Sequence, residues 1–234
     1  MSMKRKGRLA ALVLLSGGAL VLGVLGLSGH VGAQGENAEA AAAPATEAPA
    51  APVAAPKESK TAVFAGGCFW CMESEFSHKD GIVDVVSGFA GNGEDGPPTY
   101  EEVATGLTGF KEAISVTYDP SVVTYPQLLE IFWSNVDPFD DKGQFCDKGA
   151  QYQAAIFYAT PEEKALAEES QKTIEAKFKK KIATQILPQV SFFEAEDYHQ
   201  DYAEKNKDYY ERYKKGCGRA QTLEDIWGED DKEE

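Results

Sequence analysis

Histidine is scarce in this chain: only His30, His78 and His199 occur in 234 residues. A cysteine–histidine protease pair would therefore have to rest on His78 or His199. Cysteine is nearly as sparse, at Cys68, Cys71, Cys146 and Cys217. That density is too low for a disulfide-stapled mini-scaffold, so the cysteines are read as chemical rather than structural. Only one short Cys-x-x-Cys pair exists, which argues against a structural zinc site, and no metal is expected. Met72 follows the second cysteine where haem attachment needs a histidine. Positive charge is also short. Lys and Arg total 23 against 38 Asp and Glu, a formal net charge of −15. This excludes non-specific attraction to nucleic acid or an anionic membrane.

Long apolar runs are missing except from Leu9 to Leu27, directly after Lys4, Arg5, Lys6 and Arg8. A basic start, an apolar stretch and the small residues Val31-Gly32-Ala33 read as an export signal cleaved after Ala33. An uncleaved membrane anchor is the competing reading, since the run is long enough to span. The mature protein is then expected to be periplasmic or otherwise extracytoplasmic. Residues 34–59 are mostly Ala, Pro and Glu, an extended tether. The folded domain is placed at 60–228 and a frayed acidic tail at 229–234. Within the domain, strand patterns at 61–67, 81–91, 112–120, 153–160 and 183–196 interleave with helix patterns at 68–76, 99–105, 124–136, 161–181 and 197–215. One layered core of mixed α and β structure follows.

The segment "AGGCFWCMES" (65–74) is the chemical focus. Cys68 stands behind two glycines at a strand-to-helix turn. Free backbone N–H groups and the positive helix end favour a thiolate there, so Cys68 is the candidate nucleophile. Phe69 and Trp70 can wall a small apolar pocket suited to a methyl or thioether group. Cys71, three residues on, can lie within disulfide reach of Cys68.

"GCFW" (67–70), "PTYEEV" (98–103), "GFKEAISVTYDP" (109–120), "GQFCDKGAQYQAAIF" (143–157), "EAEDYHQDY" (194–202) and "GCGR" (216–219) together resemble the A-type peptide methionine sulfoxide reductases. The resemblance implies an α+β fold, a ferredoxin-like sandwich with a mixed sheet covered by helices and an irregular C-terminal extension. It implies reduction of the S epimer of methionine sulfoxide, in proteins or free, to repair oxidised proteins. In the implied chemistry Cys68 attacks the sulfoxide sulfur, and Phe69 and Trp70 hold the S-methyl group. Glu112 protonates the oxygen, Tyr100 and Tyr152 hydrogen-bond it, and Asp147 orders a water. His199 is expected to give local support, and His78 to be a solvated helix-end residue. The implied partners are oxidised proteins and an external thioredoxin-like thiol reductant. No bound cofactor and no nucleic acid are expected, and the chain is expected to act as a monomer.

Family members often read "GHAE" where Phe110 and Lys111 stand here, so Lys111 is expected to alter the electrostatics beside Glu112. Cys71 replaces a frequent glycine, which leaves the resolving thiol open. That thiol must condense with the sulfenic acid on Cys68. Cys217 is ranked first for its Gly-flanked segment, then Cys71, then Cys146; a structural Cys146–Cys217 bridge is the competing reading. Two other functions are weighed. A thioredoxin-like thiol–disulfide oxidoreductase would use Cys68 and Cys71, and a binding module would leave Cys68 inert.

Overall fold

The structure is a computed structural model that describes residues 58–92, 96–189 and 191–228. The signal or anchor at 1–33, nearly all of the tether and the tail at 229–234 lie outside the described residues. The first strand, β1 (Lys60–Ala65), turns into α1 (Phe69–Phe76). Then come β2 (Ile82–Gly91), α2 (Tyr100–Ala104), β3 (Phe110–Tyr118) and α3 (Tyr125–Trp133). A two-residue hairpin, β4 (Gly143–Gln144) and β5 (Asp147–Lys148), precedes β6 (Ala155–Tyr158) and the long α4 (Pro161–Phe178). The chain closes with β7 (Gln185–Pro188), β8 (Phe192–Glu194), α5 (Tyr202–Lys205), α6 (Lys207–Gly216) and α7 (Arg219–Trp227).

Six strands form one sheet in the order β7-β6-β1-β3-β2-β8. Neighbours are antiparallel except β6 with β7, so the sheet is mixed. The central order β6-β1-β3-β2 has α1 crossing from β1 to β2 and α3 crossing from β3 to β6. This is the split βαβ arrangement of a ferredoxin-like sandwich, as expected. Both faces of β1 are covered, which explains why "TAVFA" is a continuous apolar run rather than an alternation. Ala62 and Phe64 join the large cluster under the helices, while Val63 and Ala65 join a second cluster with Phe157. Phe64 stacks on Phe76 at 5.6 Å and on Phe132 at 5.4 Å, fixing α1 and α3 to the sheet.

Two expectations need correction. The single strand-like stretch 183–196 divides into β7 and β8, which lie on opposite edges of the sheet. Pro188, which lacks a backbone donor, ends the first of them. The C-terminal extension is helical rather than irregular. α5, α6 and α7 are separated at Asn206 and at Gly218, whose φ of 70° breaks the helix between Cys217 and Arg219. That break turns the chain into α7 and sets Arg219 against Met72 of α1.

Candidate active site

The turn from β1 to α1 depends on its two glycines. A Cβ at Gly66 would lie 2.5 Å from the Met72 sulfur, and one at Gly67 would lie 2.6 Å from Gln144 Cβ. Gly67 also has φ +86°. The glycines therefore let the backbone pass under α1 and close against the β4–β5 hairpin. Cys68 is the N-cap residue, with its carbonyl accepting from the N–H groups of Cys71 (3.1 Å) and Met72 (3.3 Å). The next free amide, Phe69 N, donates to Glu112 Oε2 at 3.0 Å. A carboxyl on the central strand β3 is thereby tied to the helix start beside the thiol.

A cavity of about 180 Å³ opens at this point. Cys68, Phe69, Trp70, Tyr100, Glu112, Asp147 and Tyr152 line it with Tyr209 and Tyr213. Seven residues singled out in the sequence thus converge from α1, α2, β3 and the 143–152 segment. A larger groove of about 630 Å³ runs between α3 and α4, but it holds no thiol.

Burial pushes Glu112 up to about 8; Asp147 and Cys71 add to this, opposed by the Phe69 amide and Tyr152. Glu112 is therefore a protonated acid at neutral pH. Tyr100 is raised to about 12, chiefly by burial, and burial also raises Tyr152 and Tyr213. All three phenols stay protonated and remain donors. Asp147 is raised by burial, opposed by its bond from Tyr213 Oη at 2.5 Å. The cavity thus offers a thiol, a carboxylic acid and several O–H donors within an aromatic wall. That set can deliver protons to an oxygen whose bond to sulfur is breaking.

Residues 60–231 match the family described as peptide methionine sulfoxide reductase. The peptide methionine sulfoxide reductase of Bacillus velezensis is 47% identical over 173 residues, covering 73% of this chain and 97% of that protein. The Bacillus subtilis enzyme is 47% identical over 174 residues, 74% of this chain and 98% of its own length. The chain belongs to the peptide methionine sulfoxide reductase family. It is an oxidoreductase that reduces methionine sulfoxide. Among solved structures, reduced Mxr1 from Saccharomyces cerevisiae aligns with a TM-score of 0.61 at 35% identity, covering 65% of this chain and 88% of that one. Methionine sulfoxide reductase A of Corynebacterium diphtheriae aligns with a TM-score of 0.58 at 34% identity, over 64% and 76% of the two chains.

The two thiols of the reductase differ from the expectation. Cys68 and Cys71 are both free and buried. Burial pushes Cys68 well above its usual range, and the hydrogen bond and charge of Cys71 add to this. Cys71 is instead drawn down to about 7, first by the hydrogen bond from Cys68 and then by Arg219, Tyr210 and Lys214, against burial. Burial beneath α6 comes first in raising Cys68, and the neighbouring Cys71 and Glu112 outweigh the lowering bond of Tyr213. Cys68 and Cys71 form one cluster with Tyr210 of α6. The hydrogen bond between the two sulfurs couples their ionisation, and Cys71 is the more readily ionised of the two.

Cys217, ranked first as the partner of Cys68, is already bonded to Cys146. The thiol beside Cys68 is Cys71. Cys146, Asp147 and Cys217 lie within 4.8 Å of one another, but the bridge occupies both sulfurs. Lys111 does not act on Glu112, because adjacent strand residues point to opposite faces. It is buried and donates to Ala150 O and Gln153 Oε1, both at 3.1 Å.

The "EAEDYHQ" segment (194–200) braces the pocket. Glu196 accepts from Tyr100 N at 3.0 Å, and Gln200 bonds both backbone groups of Ser87. His199 accepts from Trp70 Nε1 at 3.1 Å and packs 4.4 Å from the Tyr100 ring. Burial keeps its pKa low, so it is neutral. His78 lies at the surface beside Glu204. Tyr202 stacks on Trp70 at 3.7 Å. Tyr202, Tyr209 and Tyr213 were not singled out in the sequence. The only signal was the tyrosine density of an otherwise polar helical segment.

Proposed function

We propose that the reductase acts on the S epimer of methionine sulfoxide in oxidised proteins, with Cys68 as nucleophile. The Cys68 thiolate attacks the sulfoxide sulfur, while Glu112 supplies a proton to the oxygen and Tyr100 and Tyr152 hydrogen-bond it. The sulfoxide sulfur takes up an electron pair and leaves as the thioether, and the oxygen ends on Cys68 as a sulfenic acid. Phe69 and Trp70 hold the S-methyl group, and Asp147, fixed by Tyr213, orients water. Cys71 then resolves: its thiolate attacks the sulfenic sulfur, an S–S bond forms, the S–O bond breaks and water departs. An external thioredoxin-like dithiol reduces the Cys68–Cys71 disulfide, and the Cys146–Cys217 bridge stays closed.

The observation that carries this reading is the placement of a protonated, buried Glu112 within one small cavity with the Cys68 thiol. Such a pair suits oxygen removal from sulfur, whereas thiol–disulfide exchange needs no acid there. An export signal at 1–33 fits the same picture. The bridge supports it, since disulfides persist in oxidising compartments. Separate S and R epimers of a methionine sulfoxide peptide, assayed with dithiothreitol, test the reading. Turnover of the S epimer alone, abolished in Cys68→Ser, is expected. Equal turnover of both epimers, or an active Cys68→Ser variant, would contradict it.

A further inference from the structure

Arg219 is the most deeply buried cation of the described residues, 2% exposed, and the mechanism above does not use it. Among those residues it makes no ion pair. One terminal nitrogen donates to Asn135 O at 2.5 Å and lies 3.5 Å from the Met72 sulfur, while Nε has no partner. A buried cation with no carboxylate in contact is costly. Its surroundings point to a use. Met72 adjoins Cys71 on α1. The guanidinium lies 4.6 Å from the centroid of the Phe145 ring, and Phe145 precedes Cys146. Arg219 itself follows Cys217 by two residues. The Cys146–Cys217 bridge therefore fixes the chain on both sides of this cation, one flank carrying the side chain and the other the ring beneath it. Phe145 is held in the left-handed region, φ 53°, to present that ring.

We propose that Arg219 is a positioning residue for the resolving step: anchored by both flanks of the bridge and buried against α1, it holds Cys71 in its nucleophilic form toward oxidised Cys68. This rests on the reading that Cys71 resolves. The groups facing Cys71 are Cys68 at the start of α1, Glu112 on β3, Tyr210, Tyr213 and Lys214 on α6, and Arg219 on α7. Two of them are cations. Lys214 is already paired with Glu75 at 2.8 Å, which offsets its charge. Arg219 has no carboxylate in contact, although its charge also reaches Asp147. Its charge lowers Cys71 more than that of Lys214 does. In the step it serves, the Cys71 thiolate attacks the sulfenic sulfur of Cys68. The S–S bond forms as the S–O bond breaks, and the departing hydroxide takes a proton from solvent. No further oxidant or reductant is consumed.

The test measures the alkylation rate of Cys71 against pH in a Cys68→Ser background, where it is the remaining free thiol of the described residues. Arg219→Met, which keeps apolar packing against Met72 and Phe145, and Arg219→Gln are each added to that background. Arg219→Lys is the conservative rescue. With Cys68 present, the first-turnover burst of methionine reports that each variant is folded. The midpoint is expected to rise by about one unit in Arg219→Met, which is a tenfold loss of thiolate near neutral pH. It should return toward the parent value in Arg219→Lys. Formation of the Cys68–Cys71 disulfide, timed from the end of the burst, should slow about tenfold. An unchanged midpoint in whichever of the Met and Gln variants retains the burst would overturn the role of Arg219. If Cys71→Ser still closes a disulfide on Cys68, the resolving assignment fails instead, whatever Arg219 does.

Discussion

At the scale of single residues, the account turns on which groups hold protons. Glu112 is raised to about 8 by burial and is an acid only while protonated. The first-turnover burst of methionine should therefore slow as pH rises through about 8. Glu112→Gln should lower the burst rate by roughly two orders of magnitude, the scale for losing a positioned general acid, and should erase that falling limb. Rapid quench across pH 6–10 measures both. An unshifted limb in Glu112→Gln would assign it to another group, such as a thiol. The same burial has a stability consequence of opposite sense to an ordinary ion-paired carboxylate. Glu112 binds its proton more tightly folded than unfolded, so its contribution is present at low pH and is lost as pH rises through about 8. Cys68, Glu112 and the aromatic pair were legible in sequence because each sits in a motif whose chemistry constrains it. The easier ionisation of Cys71 than of Cys68 was not. It depends on burial by α6 and on Arg219, which reach the thiols only after the chain folds back.

At the scale of elements, the β1–α1 turn is the joint that aims the nucleophile. Its glycine-to-cysteine passage was readable from "AGGC", because a strand pattern ended where a helix pattern began. The element it closes against was not. The β4–β5 hairpin is two residues on each side and carries no hydrophobic period, so nothing local announced it. Gly67→Ala joins the two in one test. It forces a Cβ at φ +86° and 2.6 Å from Gln144 Cβ, whose side chain is held at both ends by Asp137 backbone. The substitution should cost about 2 kcal/mol or more of stability, read from urea unfolding, because strain and overpacking add. It should also lower the burst rate by at least tenfold, since misplacing the reacting atoms by about 1 Å has consequences on that scale. A variant as stable and as fast as the parent would show that the turn does not position Cys68.

For the whole molecule, the open question in the sequence was how four cysteines pair. Cys146 and Cys217 are 71 residues apart, and only the return of α6 over the β1–α1 turn brings their Cα atoms to 4.9 Å. Gly218 turns the chain into α7, and Cys217 beside it stands in the bridge to Cys146. The fold itself was more legible: the alternation of strands and helices gave one layered core of mixed α and β structure, and the family resemblance implied the α+β class. The polar stretch 197–215 was read as helical and holds α5 and most of α6; what was missed was α7 beyond Gly218. The central claim is that Cys68 and Cys71 complete the reaction alone, beside a bridge that does not open. The direct measurement gives the protein, Cys146–Cys217 bridge intact, one equivalent of S-epimer peptide without reductant, followed by acid trapping, digestion and mass spectrometry of the disulfides. The account predicts a new Cys68–Cys71 linkage with Cys146–Cys217 unchanged. A Cys68–Cys217 linkage with Cys146 released as a free thiol would contradict it.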